Sequence, residues 1–201
     1  PLRANWVDKE SPVAGKNLLD IGCGGGIFSE SMAIRGAKVV GLDVAEGPLS
    51  VAKMHAAEVG LEINYVQCTA EELATNKTGC FDVVCCLEML EHVPQPSRIV
   101  QACADLTSPG GTIYLSTINR NLKAFLFGIV GAEYILKMLP AGTHDYAKFI
   151  KPSELARWAR DSNLFVESTI GMTYNPISKL YKLTDKDLSI NYLMKLCKPV
   201  G

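Results

Sequence analysis

Leu18-Leu19-Asp20-Ile21-Gly22-Cys23-Gly24-Gly25-Gly26 runs directly into Ile27-Phe28-Ser29-Glu30-Ser31-Met32-Ala33, and the passage reads as a strand, a glycine turn and a helix. Four glycines between positions 22 and 26 remove the Cβ atoms that would hold a ligand off the backbone, and they permit the positive φ angles of a tight turn. The first amides of the following helix point outward without intrahelical partners, so that end favours an anionic or acceptor-rich ligand. Nucleotide-like molecules fit this description.

Two cofactor classes use such a turn. A dinucleotide fingerprint G-x-G-x-x-G counted from Gly22 fails at Ile27, and counted from Gly24 it is partial, through Gly26 and Ser29. Asp20, two residues before the first glycine, would repel a pyrophosphate but could meet an ammonium group. S-adenosylmethionine carries an ammonium on its amino acid end. Asp43, closing the next apolar strand Lys38-Val39-Val40-Gly41-Leu42, could accept both ribose hydroxyls. The pair of acids argues against a turn that merely closes strand onto helix.

The chain has 201 residues, 48% of them hydrophobic, which is enough for one substantial core; one domain, 1–201, is expected. With 20 basic and 21 acidic residues there is no field to gather a phosphate backbone, so nucleic acid is not an expected partner. The seven cysteines, at 23, 68, 80, 85, 86, 103 and 197, fall mostly within apolar segments and suit core packing in a reducing compartment. No run is long enough to span a bilayer and no signal peptide is seen; the first residue, Pro1, is what removal of a targeting segment would leave.

Outward from the glycine turn the pattern repeats. Pro1 to Ser11 reads as a short polar lead containing Arg3. Leu49 to Val59 reads as a helix, Ile63 to Val66 as a strand, Ala70 to Ala74 as a brief helix and Phe81 to Leu87 as a central strand covered on both faces. Ser97 to Leu106 is a further helix and Thr112 to Ser116 a strand. This alternation predicts an α/β fold with a doubly wound, mostly parallel, seven-stranded sheet. An antiparallel C-terminal hairpin, Phe165–Ile170 with Leu188–Leu193, follows the helix Pro152–Asp161, with Thr173 to Asp187 as its connection. The segment 119–149 is an insertion whose Leu122–Leu139 half places Leu122, Phe125, Leu126, Ile129 and Val130 on one stripe. It reads as an amphipathic helix, a lid over the sheet's carboxyl edge that can also touch a membrane.

The strand Phe81–Leu87 ends in Glu88-Met89-Leu90-Glu91-His92, and ligands of open parallel sheets sit outside the carboxyl ends of the strands. Glu88, Glu91 and His92 have i, i+3, i+4 spacing, which on a helical turn brings two carboxylates and an imidazole to one face. Three readings stay open: a divalent metal such as magnesium or zinc that grips a phenolic oxygen, His92 as a general base tuned by a glutamate, or a capped turn. Gly142-Thr143-His144-Asp145-Tyr146 and Gly171-Met172-Thr173-Tyr174-Asn175-Pro176 each follow an element that should end near the pocket, which makes His144 a further catalytic candidate. His55 reads as merely exposed.

These stretches, with Val130-Gly131-Ala132-Glu133-Tyr134-Ile135-Leu136 and Lys148-Phe149-Ile150-Lys151-Pro152, resemble the ubiquinone-biosynthesis O-methyltransferases, class I S-adenosylmethionine enzymes, over nearly the whole chain. The resemblance implies methyl transfer to a hydroxyl of a polyprenylated catechol or demethylubiquinol. It also implies Arg3, Gly22, Asp43 and Leu87 as cofactor contacts and Glu88, Glu91 and His92 as the metal site; Asp20 and Gly24 of the glycine turn, and Glu91, His92 and His144 as catalytic candidates, complete the expected site. The cysteine-rich strand points to a mitochondrial member, peripheral on the matrix side of the inner membrane, with a bacterial cytoplasmic member as the alternative. Contact through 122–139 and a complex with other ubiquinone-biosynthesis proteins are expected. One departure stands out: Cys68-Thr69-Ala70-Glu71 occupies the turn where many class I enzymes carry an aspartate for the adenine. A nicotinamide oxidoreductase and a non-catalytic lipid-docking protein are the remaining alternatives.

Overall fold

The computed structural model describes residues 1–121, 146–175 and 179–200. In chain order the elements are α1 (Leu2–Glu10), β1 (Asn17–Ile21), α2 (Ile27–Ile34), β2 (Lys38–Asp43), α3 (Glu46–Glu58), β3 (Asn64–Gln67), α4 (Ala70–Asn76), β4 (Phe81–Leu87), α5 (Pro96–Leu106), β5 (Thr107–Ile118), α6 (Pro152–Asp161), β6 (Phe165–Asn175), β7 (Leu180–Thr184) and β8 (Asn191–Cys197). A 3-10 turn, Leu90–His92, follows β4, and another, Tyr146–Lys148, precedes α6.

The strands form a single sheet in the order β3-β2-β1-β4-β5-β8-β6-β7. Pairs from β3 through β5 are parallel, and β8 joins β5 and β6 antiparallel. Strand order reverses at β1 and β4, so the loops after these two strands open into one crevice. The apolar run Phe81–Leu87 is central because both its faces are covered: Val84 and Cys86 pack with α4, α5 and α6, while Val83 and Cys85 pack with α1 and α2.

The doubly wound, mostly parallel reading holds, with two differences. The sheet has eight strands where seven were expected, because β7 lies within the stretch read as a connection; its Leu180, Tyr181 and Lys182 are exposed, so no alternation of buried and exposed residues marks it. The polar lead is also a helix: α1 buries Ala4, Trp6 and Val7, and Trp6 meets Tyr114 edge-on at 5.2 Å. Tertiary packing, not helical periodicity, orders it. The Leu122–Leu139 helix and His144 lie outside the described residues, and no described helix is long and apolar enough to cross a membrane.

Candidate active site

At the carboxyl ends of β1 and β4 a cavity of about 710 Å³ is lined by Asp20, Gly22 and Gly25 around the glycine turn, by Arg3 of α1, by Leu87 and Glu88 at the end of β4, and by Met172 of β6 and Tyr181 of β7. A groove of about 1060 Å³ lies at the opposite, amino ends of the strands, around Asn17, Lys38 and Asn64, away from every candidate residue. Arg3, Asp20, Gly22 and Leu87 are therefore brought together, with α1 supplying Arg3. Gly24 and Asp43 adjoin them: the Gly24 N–H donates to Asp43 Oδ2 at 2.9 Å, and the Ala45 N–H donates to Oδ1 at 2.9 Å.

The glycine turn is shaped for close approach. Gly22 sits at φ +74°, and a Cβ there would meet Met89 Cγ at 2.7 Å; Gly26, at φ +83°, is in contact range of the Tyr65 hydroxyl and opens α2. Above Gly24 and Gly25 nothing lies within 4 Å of where a side chain would start, so the backbone is open to a ligand. Asp20 is only 3% exposed and accepts a hydrogen bond from Ser29 Oγ at 2.6 Å, which fastens α2 to β1. Burial, helped by repulsion from Asp43, lifts its pKa from 3.8 to about 6. Such a carboxyl is poised to ionise fully when a cation arrives. Burial pushes the Cys23 thiol up to about 12, which leaves it inert as a nucleophile. His55, on α3, is exposed as its sequence position suggested, and its Nδ1 pairs with Glu30 at 2.7 Å, a contact that raises its pKa.

The segment after β4 does not form the helical turn that its spacing predicts. Glu88 adopts φ +56°, a left-handed residue, and Leu90–His92 follows as a tighter 3-10 turn, so the i, i+3, i+4 face never assembles. Glu88 borders the cavity; its carboxylate accepts from Ser116 Oγ at 2.6 Å and Asn191 Nδ2 at 2.7 Å and pairs with Arg3 at 3.0 Å. Glu91 is turned into the core, 4% exposed, and accepts from Thr117 Oγ1 at 2.7 Å. Burial first, then the Glu88 charge, raises its pKa to about 7. His92 is exposed.

Neither Glu91 nor His92 borders the cavity, and among the described residues no three His, Cys, Asp or Glu side chains stand close enough to share a metal ion. The expected donor set of Glu88, Glu91 and His92 therefore does not fit a metal in this arrangement, because the backbone reversal at Glu88 sends the three side chains to different places.

Reasoning from sequence missed Ser29, Ser116 and Asn191, each of which grips an acid of the site. Ser29 lies in the stretch already singled out, but Ser116 and Asn191 meet Glu88 only through the register of β4, β5 and β8. In the turn after β3, Thr69 and Glu72 cap α4 reciprocally, with the Thr69 N–H donating to Glu72 Oε2 at 2.8 Å. The polar groups of that turn are thus used by the helix end.

Comparison with known proteins agrees with this geometry. A family model described as a methyltransferase domain matches residues 19–115. A ubiquinone biosynthesis O-methyltransferase from Saccharophagus degradans is 59% identical and covers 96% of this chain and 82% of its own length. One from Dechloromonas aromatica is 57% identical over 100% of this chain and 86% of its own. Among solved structures, magnesium protoporphyrin IX methyltransferase from Synechocystis with bound SAH has a TM-score of 0.72 at 20% identity, over 98% of this chain and 80% of that one. A methyltransferase from Methanosarcina mazei gives 0.73 at 20% identity, over 97% and 98%.

At that identity the solved structures speak for the fold alone, while the curated relatives speak for the activity and leave the nicotinamide and non-catalytic alternatives without support. These relatives are bacterial, and the cysteines that pointed to a mitochondrial member have a structural explanation, since Cys85, Cys86 and Cys103 are fully buried core residues. The chain belongs to the ubiquinone biosynthesis O-methyltransferases and is an S-adenosylmethionine-dependent O-methyltransferase.

Proposed function

We propose that this enzyme methylates a phenolic hydroxyl of a polyprenylated catechol or demethylubiquinol, and that Glu88 receives the hydroxyl's proton. The observation that carries this reading is the Glu88 carboxylate, held by three partners at the wall of the cavity beside the glycine turn.

Bound S-adenosylmethionine supplies an electrophilic methyl group on a sulfonium. The chain's residues bind and orient it. The Arg3 Nε–H is a buried donor without a partner, suited to the cofactor's carboxylate, and Asp20 faces its ammonium. Asp43 spends one lone pair of each oxygen on a backbone amide and keeps the others for the ribose hydroxyls. Gly22 and Gly24 let the ligand lie on the main chain, and Leu87 forms an apolar wall. As the acceptor oxygen bonds to the methyl carbon and the carbon–sulfur bond breaks, that oxygen becomes positive and releases its proton. Glu88, an acceptor fixed at the cavity wall, takes it. Glu88, Glu91 and His92 do not converge on one point, so this set would not hold a metal beside the acceptor oxygen.

A long isoprenoid tail keeps the substrate in a lipid phase, so the enzyme works at a membrane surface. The stripe of Leu122, Phe125, Leu126, Ile129 and Val130, read from sequence, supplies the contact. The bacterial relatives favour the cytoplasmic face of a bacterial membrane over the mitochondrial matrix face.

A methyl-transfer assay on a short-tailed catechol tests the central claim. Glu88→Gln should lower kcat by about 10²-fold or more while SAH affinity changes less than about tenfold. Unchanged kcat would refute the role of Glu88, and a wild-type enzyme that methylates no catechol would refute the substrate.

A further inference from the structure

The cofactor contacts proposed above come from α1, the glycine turn and the ends of β2 and β4. Another part of the wall belongs to the β6–β7 hairpin, where Met172 and Tyr181 line the same space. That hairpin is a firm support. Met172 pairs with Leu183 across the strands, and both pack on the core cluster that contains Trp6 and Leu193. Two residues further along, Tyr174 stands directly opposite Tyr181, and their rings meet at 4.8 Å between centroids with a 42° tilt. The hairpin's return is equally constrained, because Gly171 lies against the Asp187 carbonyl so closely that no side chain would fit there. Tyr181 is nonetheless 56% exposed, so that beyond its contact with Tyr174 it presents a large aromatic surface to the cavity. Ile27, which also lines the cavity, is 82% exposed, so apolar surface borders the cavity on the side of α2 as well.

We propose that Tyr181 is the platform on which the aromatic ring of the methyl acceptor stacks, which makes it a specificity residue for planar, electron-rich phenols. The proposal rests on the substrate class given above. The ring would lie on Tyr181, itself packed against Tyr174, with a hydroxyl directed toward Glu88 of the same cavity. A substituent on the ring would leave past Ile27. Tyrosine suits this position because offset or tilted aromatic pairs favour one another beyond the area they bury, whereas an aliphatic side chain offers area alone.

The test separates stacking from mere apolar cover. Full-length enzyme loaded with SAH is titrated calorimetrically with a short-prenyl catechol, and KM and kcat are measured with the same catechol, for wild type, Tyr181→Phe, Tyr181→Leu and Tyr181→Ala. Tyr181→Phe should bind within about twofold of wild type. Tyr181→Leu should weaken catechol binding about threefold to tenfold and Tyr181→Ala more than about tenfold, through KM far more than kcat. SAH affinity should stay within about twofold in all variants, which also reports that they are folded. Tyr181→Leu binding catechol as tightly as Tyr181→Phe would overturn the stacking platform, and so would an unchanged Kd in Tyr181→Ala. If any variant loses SAH binding, the comparison of Phe with Leu decides. A wild-type enzyme that binds and methylates no catechol would overturn the substrate class itself, an outcome visible before any variant is made.

Discussion

Replacing Asp20 with asparagine should make the empty enzyme more stable and the cofactor-binding enzyme worse. Asp20 lies 3% exposed at the end of β1, and asparagine has the same shape and can still accept from Ser29 Oγ. The folded protein holds the Asp20 proton up to about pH 6, whereas the unfolded chain releases it near the ordinary value of 3.8. Below that value both states are protonated and burial of the carboxyl carries no ionisation penalty. As pH rises from 3.8 to about 6, the unfolded state gains a charge that the folded state resists, and stability falls. At 1.36 kcal/mol per pH unit the full penalty is about 3 kcal/mol near neutrality.

Urea unfolding of the apo protein at pH 4 and pH 7.5 measures it: Asp20→Asn should match wild type within about 1 kcal/mol at the lower pH and exceed it by about 3 kcal/mol at the higher one. The cofactor should reverse the order. An ammonium beside the carboxylate favours the charged form, so wild-type affinity for SAH should climb between pH 5 and 7. The variant's affinity should be flat with pH and at least about tenfold weaker at pH 7.5, the loss of one charge-assisted contact. Parallel stability curves for the two proteins would refute the argument.

Asp43→Ala removes the proposed acceptor for the ribose hydroxyls and also frees the Gly24 and Ala45 amides, so SAH should bind at least about tenfold more weakly. A 2′-deoxy analogue should bind wild type less well than SAH, and the variant should no longer tell the two apart. Phe125→Glu with Leu126→Glu should abolish co-sedimentation with liposomes and lower turnover of a long-tailed substrate in vesicles, while turnover of a water-soluble catechol survives; each residue forfeits about 1.5–3 kcal/mol of apolar burial. Loss of the fold in this double variant, or unchanged liposome binding, would refute a lipid-facing stripe.

The parts of the site that the sequence exposes are those in which adjacent residues share one physical task. Asp20, Gly22 and Gly24 could be read together because strand end, turn and helix start follow one another without interruption. The run Phe81–Leu87 announced a central strand because burial on both faces abolishes alternation. What stayed hidden depends on pairing at long range. Ser116 and Asn191 reach Glu88 because β5 lies between β4 and β8, and nothing local to either residue marks that neighbourhood. Spacing misled at Glu88, Glu91 and His92, since i, i+3, i+4 carries meaning only on an α-helix and one left-handed residue cancels it. Tyr181 was hidden for the opposite reason: an exposed edge strand that borders a cavity leaves no pattern of burial to read.

The left-handed backbone at Glu88 has a cost and a compensation that together explain how α1 takes part in the site. A non-glycine residue at φ +56° is disfavoured by about 1–2 kcal/mol. Against this stand hydrogen bonds from Ser116 and Asn191 and the ion pair with Arg3, and even with the charged contacts contributing only about 1.5 kcal/mol apiece they exceed the strain. Two of these partners sit on the rigid sheet, so the carboxylate is fixed before any ligand arrives. The third is on α1, whose Trp6 and Val7 anchor in the core while Arg3 reaches over the cavity. Arg3 uses Nη2 for Glu88 and keeps the buried Nε–H without a partner. A carboxylate arriving with the cofactor can take that donor without breaking the ion pair. Cofactor binding would then complete the arrangement around Glu88 and leave the proposed proton acceptor where the sheet already holds it.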